Sequence, residues 1–393
     1  MEPSIKRCTL ALIMCGISAI GMAQEKLIDE DFSNLTSPPS TWTTLYSSIV
    51  AKINGKDVYA LKIEKNSSNG IKKGYATTPA LNYNGDIILS FKYGKTTNNN
   101  SQLTISTNDE SFFSDTNKTS KSITISKHIN SGLDSTICLI KGVTDSTTIK
   151  FALNSDNYLA IDDVVVTKDI LCDNADNQYY LTAHNDKETV VHTKRTLTGG
   201  IWNTLCLPFD VTKATMEAAL GQDVQLRTYT GFAGNVMTFS EVTGDDVIAA
   251  GTPFLLKLNT TVTNPTFNSV TVSNSTAAQT VTHEGVSFIG TYSQKQLATD
   301  GTELFITTSG GLAIPTATGN VMNGMRAYIK VPESMKFTPN GVRLAIDNET
   351  TSIQSVTTTS QPNAVYNLSG QRLQQPRKGL NIVRKNRKLI FIR

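Results

Sequence analysis

Residues 86–95 read DIILSFKYGK, and this stretch sets the fold class. Ile87, Leu89, Phe91 and Tyr93 fall on one face and polar residues on the other, the period-two pattern of a half-buried strand. The same pattern recurs in TTIKFALNS (147–155), through Ile149, Phe151 and Leu153, and in DVYALKIEK (57–65), through Tyr59, Leu61 and Ile63. Turn-forming clusters separate these runs: NSSNG (66–70), TTNNNS (96–101) and NDESFFSDTNKTS (108–120). Asn, Ser and Gly favour tight turns, and Thr favours strands. No stretch before residue 171 sustains a helical period. The expectation for residues 24–171 is therefore an antiparallel β-sandwich of jelly-roll type.

A chain of 393 residues exceeds one ordinary domain. The polar, acidic stretch CDNADNQYY (172–180) reads as a linker, and residues 181–350 as a second β-rich domain. Its strand candidates include IWNTLCLPFDV (201–211), QLRTYTGF (225–232), GTPFLLKL (251–258), VSFIGTY (286–292) and MRAYIKV (325–331). One short helix is expected after Thr212, where KATMEAALG carries Ala214, Met216, Ala218, Ala219 and Leu220 and stops at Gly221. Residues 351–362 form a Ser/Thr/Gln linker, and residues 363–393 a basic C-terminal segment.

The termini bear on location. Lys6 and Arg7 precede an apolar run from Cys8 to Ile20, followed by Gly21 and Ala23. This is the layout of a secretory signal over residues 1–23, with cleavage after Ala23. No other segment is apolar enough to span a bilayer. At the far end, eight Lys and Arg and no Asp or Glu lie between Asn363 and Arg393; since the whole chain is +3, residues 1–362 sum to −5. GLNIVRKNRKLIFIR (379–393) reads as a β-hairpin turning at RKNR, with Asn386 at its tip. It lacks the stacking aromatics or recognition helix of a nucleic-acid reader, so no nucleic-acid partner is expected.

Chemistry-bearing residues are few. His128, His184, His192 and His283 are isolated, and THEG (282–285) is not a zinc-binding HExxH. Neither a nucleophile elbow nor a phosphate-binding loop occurs. Cys138, Cys172 and Cys206 have no metal-knuckle spacing; they read either as one disulfide with a spare thiol or as three small buried residues. An enzyme is thus the least favoured class. Trp42, Tyr46, Tyr59, Tyr75 and Tyr93 could stack on sugars, but alternation assigns most of them to the core. Paired carboxylates give the one site signal. In LAIDDVVVT (159–167), adjacent Asp162 and Asp163 point to opposite faces, with Ile161, Asp163 and Val165 sharing one of them. A buried carboxylate needs a partner or a cation. Glu30 and Asp31 lie on the first strand, which in a jelly roll runs beside the last. Glu30, Asp31, Asp162 and Asp163 therefore form a candidate hard-oxygen set for structural Ca²⁺.

Three stretches, DEDFSN (29–34), GYATTPALN (74–82) and YLAIDDVVVT (158–167), resemble the choice-of-anchor J, or cleaved-adhesin, jelly rolls of Bacteroidetes surface proteins. The tail is similar to the sorting segment read by type IX secretion machinery, through Val365, Tyr366, Asn367, Ser369, Gly370, Arg372, Lys378, Gly379, Ile382 and Val383. This resemblance implies a secreted or outer-membrane-associated protein that binds glycans or host and matrix surfaces, delivered through its tail by an export or anchoring machinery. It also admits a non-catalytic carbohydrate-binding accessory of a polysaccharide-degrading system, or a structural surface-layer or fimbria-associated component.

Overall fold

The computed structural model describes residues 26–33, 35–50, 59–66, 72–273, 277–336, 341–346, 349–351 and, near the C-terminus, 365–366, 372–373, 381–385 and 388–392. The expected signal segment 1–23 and the linker 352–362 lie outside these residues, as do the hairpin tip Asn386 and Gly379.

The alternating runs form the two sheets of a β-sandwich. One sheet places strands in the order Phe112–Phe113, Asp134–Val143, Gly85–Lys95, Leu159–Lys168, Ala60–Ile63 and Ser47–Val50. The other runs Ser120–Ile125, Ser101–Thr107, Ile149–Leu153, Tyr75–Thr77 and Thr43–Leu45. Ile87, Leu89 and Phe91 meet Phe151, Leu103 and Ile105 between them. Trp42 belongs to this core, 7% exposed, with Phe32 edge-on to its ring and Phe151 stacked beneath it.

Strand Leu159–Lys168 departs from simple alternation. Asp162 pairs with Lys92, but the next paired residue is Val165, opposite Ser90, so one extra residue is inserted. Asp163 takes it up at φ +46°, in the left-handed region that Asp tolerates better than β-branched residues. The expected face of Ile161, Asp163 and Val165 is corrected accordingly. Ile161, Val164 and Val166 enter the core, while Asp162 lies opposite Lys92 outside it.

The second unit is also a sandwich. Its larger sheet orders Trp202–Leu205, Phe254–Leu258, Val224–Ala233, Val236–Glu241, Arg343–Ile346 and Glu349–Thr351. A five-stranded sheet, from Thr280–His283 to Leu312–Ala313, packs on one face of it through Tyr229, Phe288, Ile329 and Leu344. The expected helix is present as α2, Lys213–Leu220. The Thr212 hydroxyl accepts from the Thr215 N–H at its start, and Gly221 ends it at φ +66°.

Residues 172–180 do not form an open linker. Leu171–Cys172 is a strand parallel to Lys187–Lys194, and an unexpected helix, α1, spans Gln178–His184. Asn177 is fully buried; its side chain accepts from the Cys172 N–H at 2.9 Å and donates to the carbonyls of Cys172 and Tyr292 at 2.8 and 2.7 Å. Within this polar stretch Asn177 is buried because its amide is paired within the protein, while Asp176 and Gln178 stay exposed.

The two units share a core. Ile88 points away from its own sandwich and packs with Tyr180, Leu181, Val191, Met216 and Phe267 of the second unit, flanked by Ile137 and Leu139. Near the C-terminus, Val365–Tyr366 pairs with Asn381–Lys385, which pairs antiparallel with Lys388–Ile392. Arg384 and Lys385 pair with Leu389 and Lys388, so the first two residues of the expected RKNR turn belong to the strand instead. No helix among the described residues is long and apolar enough to cross a membrane.

The chain has two tryptophans, one in each unit. Single-tryptophan variants retaining Trp42 or Trp202 should report coincident unfolding transitions. Ile88→Ala should shift both together, by about 2–5 kcal/mol; two separated transitions would contradict a shared core.

Candidate functional site

Of the carboxylates singled out in the sequence, Glu30 and Asp31 come near Asp162, while Asp163 turns away to Lys92. Strand Lys26–Glu30 pairs with the second half of Leu159–Lys168, and Ala60–Ile63 with its first half. The Asp162–Asp163 bulge lies where one partner gives way to the other, beside Glu30, which pairs with Val164. Asp162 is 4% exposed, and its carboxylate accepts from the Asp163 N–H at 2.9 Å. Burial, aided by the charges of Asp163 and Asp31, pushes its carboxyl up to about 7. Burial also raises Glu30, whose Oε1 accepts from the Phe32 N–H at 3.1 Å. Asp163 turns outward to Lys92, 2.5 Å away, and Asp31 accepts from the Ser33 N–H at 2.9 Å. Among the described residues, no group of three His, Cys, Asp or Glu is already arranged to hold a metal ion.

A different set of residues frames a cleft between the two units. It measures 530 Å³ and is lined by Tyr83, Asp86, Asp169, His192, Lys194, Asn264 and Thr266, a size suited to a small ligand. The sandwich contributes Tyr83, Asp86 and Asp169. Tyr83 lies in the YNGD turn, against Gly85 at φ +141°; a Cβ on Gly85 would meet the tyrosine hydroxyl at 2.7 Å. Glycine is thus what lets the ring lie there. Lys168 Nζ lies 5.1 Å from the ring centroid. The second unit contributes His192, whose Nδ1 is 3.2 Å from Thr266 Oγ1, and Asn264, at φ +53° on the adjoining turn.

Asp169 ties the cleft to the shared core. Its Oδ1 is 2.6 Å from His184 Nε2 at the end of α1, and its Oδ2 is 3.2 Å from Lys141 Nζ. Lys141 also reaches Asp86 at 2.9 Å. Burial alone would raise the Asp169 carboxyl, but the His184 hydrogen bond and charge, with Lys141, hold it below the usual range. His184 packs against Tyr180 with the rings tilted by 32° and their centroids 4.5 Å apart. This histidine therefore organises the junction.

The other sequence candidates do not gather at one place. Tyr93 packs against the sandwich core, and Tyr75 lies 4.1 Å beneath Lys150 Nζ. Tyr46 is half-buried at φ +48°, and Tyr59 is half-buried. His128 Nδ1 accepts from the Asn130 N–H, and His283 sits edge-on to Tyr229. Cys138, Cys172 and Cys206 are buried free thiols, so of the two readings the structure carries the second.

No protein-family model matches the chain, and no curated protein matches it. Solved structures are similar to about a third of it. One is the K3 cleaved adhesin domain of Lys-gingipain from Porphyromonas gingivalis, 14% identical over 36% of this chain and 99% of that one, with a TM-score of 0.26. Another is a xylan-binding domain from Paenibacillus barcinonensis, 9% identical over 37% and 95%, TM-score 0.27. A third is a C-terminal carbohydrate-binding module of a laminarinase from Zobellia galactanivorans, 10% identical over 36% and 97%, TM-score 0.23.

Asp169 generates a pH signature. Its stabilisation is fully present above the unfolded carboxylate value near 3.8 and is lost as pH falls through the lower folded value. Asp169→Asn should cost on the order of 3 kcal/mol at pH 7, since it removes the buried carboxylate that pairs with Lys141 and accepts from the His184 ring. Denaturant melts should show the gap between the two proteins closing below about pH 4; a pH-independent gap would contradict this assignment.

Proposed function

We propose that the chain is an extracellular binding protein that takes a glycan in the cleft between its two β-units. The observation that carries this is the convergence, from both units, of one aromatic face (Tyr83) with imidazole, ammonium, amide and hydroxyl groups (His192, Lys194, Asn264, Thr266). A sugar offers an apolar face to stack and hydroxyls to pair, and such a set meets both needs. Asp169 and Asp86 are held by His184 and Lys141, which favours rigid recognition of hydroxyls over proton transfer. On this reading the protein acts as an adhesin or as a carbohydrate-binding accessory, and the basic segment 363–393 serves display at the cell surface after export.

A glycan array probed with residues 24–393 should give discrete hits. Tyr83→Ala and His192→Ala should each weaken them about tenfold or more, roughly 1.4 kcal/mol, with melting unchanged for the exposed His192 and lowered for Tyr83, whose ring also packs on the sandwich core. Removing residues 363–393 should abolish surface display and leave the hits intact. An empty array, or hits indifferent to both cleft substitutions, would refute the reading.

The acidic set supports a second proposal, that Asp162 binds Ca²⁺ together with Asp31 or Glu30 and nearby backbone carbonyls. Asp162 is a buried carboxylate near other acids, and a cation would neutralise it. Saturation a hundredfold above the dissociation constant would add about 2.7 kcal/mol. Ca²⁺ should therefore raise the melting temperature of the wild-type chain and not that of Asp162→Asn. Asp162→Asn should itself be the more stable of the two in EDTA, because it removes a buried charge. Equal responses to Ca²⁺ would rule the site out.

A further inference from the structure

A separate cavity of 340 Å³ opens in the second unit, where strand Arg326–Lys330 lies between Trp202–Leu205 and Glu303–Ile306. Its wall is divided. Leu297, Phe305, Ile306 and Met322 supply an apolar side, with Val321 56% exposed beside them. Arg326 and Thr204 stand on the other side.

The charge behind that polar side does not balance. Arg195 is 4% exposed, and its guanidinium donates only to neutral carbonyls, those of Met325 and, at 2.6 Å, Thr204; its Nε has no hydrogen-bond partner among the described residues. Arg326 Nη2 holds Asp173 Oδ2 at 3.1 Å. Asp173 is thus in contact with Arg326 and attracts Arg195 only through space. Burial, with the repulsion of Arg326, lowers Arg195 to about 9, still protonated at neutral pH. Lys295 and Glu303 lie 3.6 Å apart and balance each other. The buried charge of Arg195 is costly, and an anion on the neighbouring, 30% exposed Arg326 would offset it through space. Arg326 faces the cavity and keeps donors beyond the one given to Asp173.

We propose that this cavity binds a small carboxylic acid with an apolar body, its carboxylate on Arg326 and its body against Phe305 and Met322. An arginine fork matches a carboxylate in two parallel hydrogen bonds, and the apolar side removes the rest of the ligand from water. The site is distinct from the cleft at Tyr83 and does not depend on the reading of that cleft.

The test is calorimetric titration of residues 24–393 with octanoate and with octanol. Octanoate should bind at least tenfold more tightly than octanol. Arg326→Gln should erase that difference, and Asp173→Asn, which removes the competing carboxylate, should strengthen octanoate binding at least threefold. Tyr83→Ala should leave both titrations unchanged, so failure here is separable from failure of the cleft reading. Should Arg326→Gln not fold, Arg326→Lys keeps the charge without the fork and should retain only part of the preference. Absence of octanoate binding, equal binding of octanol, or indifference to the Arg326 substitutions would overturn the proposal. Tighter binding of glucuronate than of octanoate would overturn its apolar half.

Discussion

One carboxylate, that of Asp169, is shared between the two units. It follows directly on the central strand Leu159–Lys168 and divides its oxygens between His184 of the second unit and Lys141 of the first. The pairing is buried, so solvent screens it little. It fixes α1 over the sandwich face that carries Ile88, Ile137 and Leu139, with the shared apolar core beside it and the cleft on its other side. The cleft follows from this arrangement. Tyr83, Asp86 and His192 belong to different strands and turns, and they meet because α1 holds the units in one register.

Much of this architecture was readable in the sequence. Alternation in 86–95 and 147–155 has one physical cause, a sheet with a buried face, and nothing along those strands interrupts it. The α2 signal was equally local, since Thr212, Met216, Leu220 and Gly221 supply a cap, a buried stripe and a stop. The pairing of the first strand with Leu159–Lys168 was also accessible, and with it the nearness of Glu30 and Asp31 to Asp162, though not the turn of Asp163 away to Lys92.

What escaped was decided by tertiary pairing. The bulge at Asp163 reverses the faces of Val164 and Val165, and no rule of period two contains it. Residues 172–180 are polar in composition, yet Asn177 is buried because the Cys172 and Tyr292 backbones meet its amide. Composition cannot reveal where such partners lie. Tyr83 sits in the turn preceding a strand and carried no periodic signal; the conformation of Gly85 sets its ring in the cleft. Arg195 and Arg326 are far apart in sequence, and their shared need for an anion exists only in the fold.

The central claim is that the segment joining the units is a structural element of the shared core. Native-state hydrogen exchange tests it most directly at the Leu181 N–H, which bonds the Asn177 carbonyl at 2.9 Å. This amide should exchange only through global unfolding, with the same free energy as core amides of the sandwich such as Leu89. Exchange at a much lower opening energy, independent of denaturant, would show the junction opening locally and would contradict the shared core.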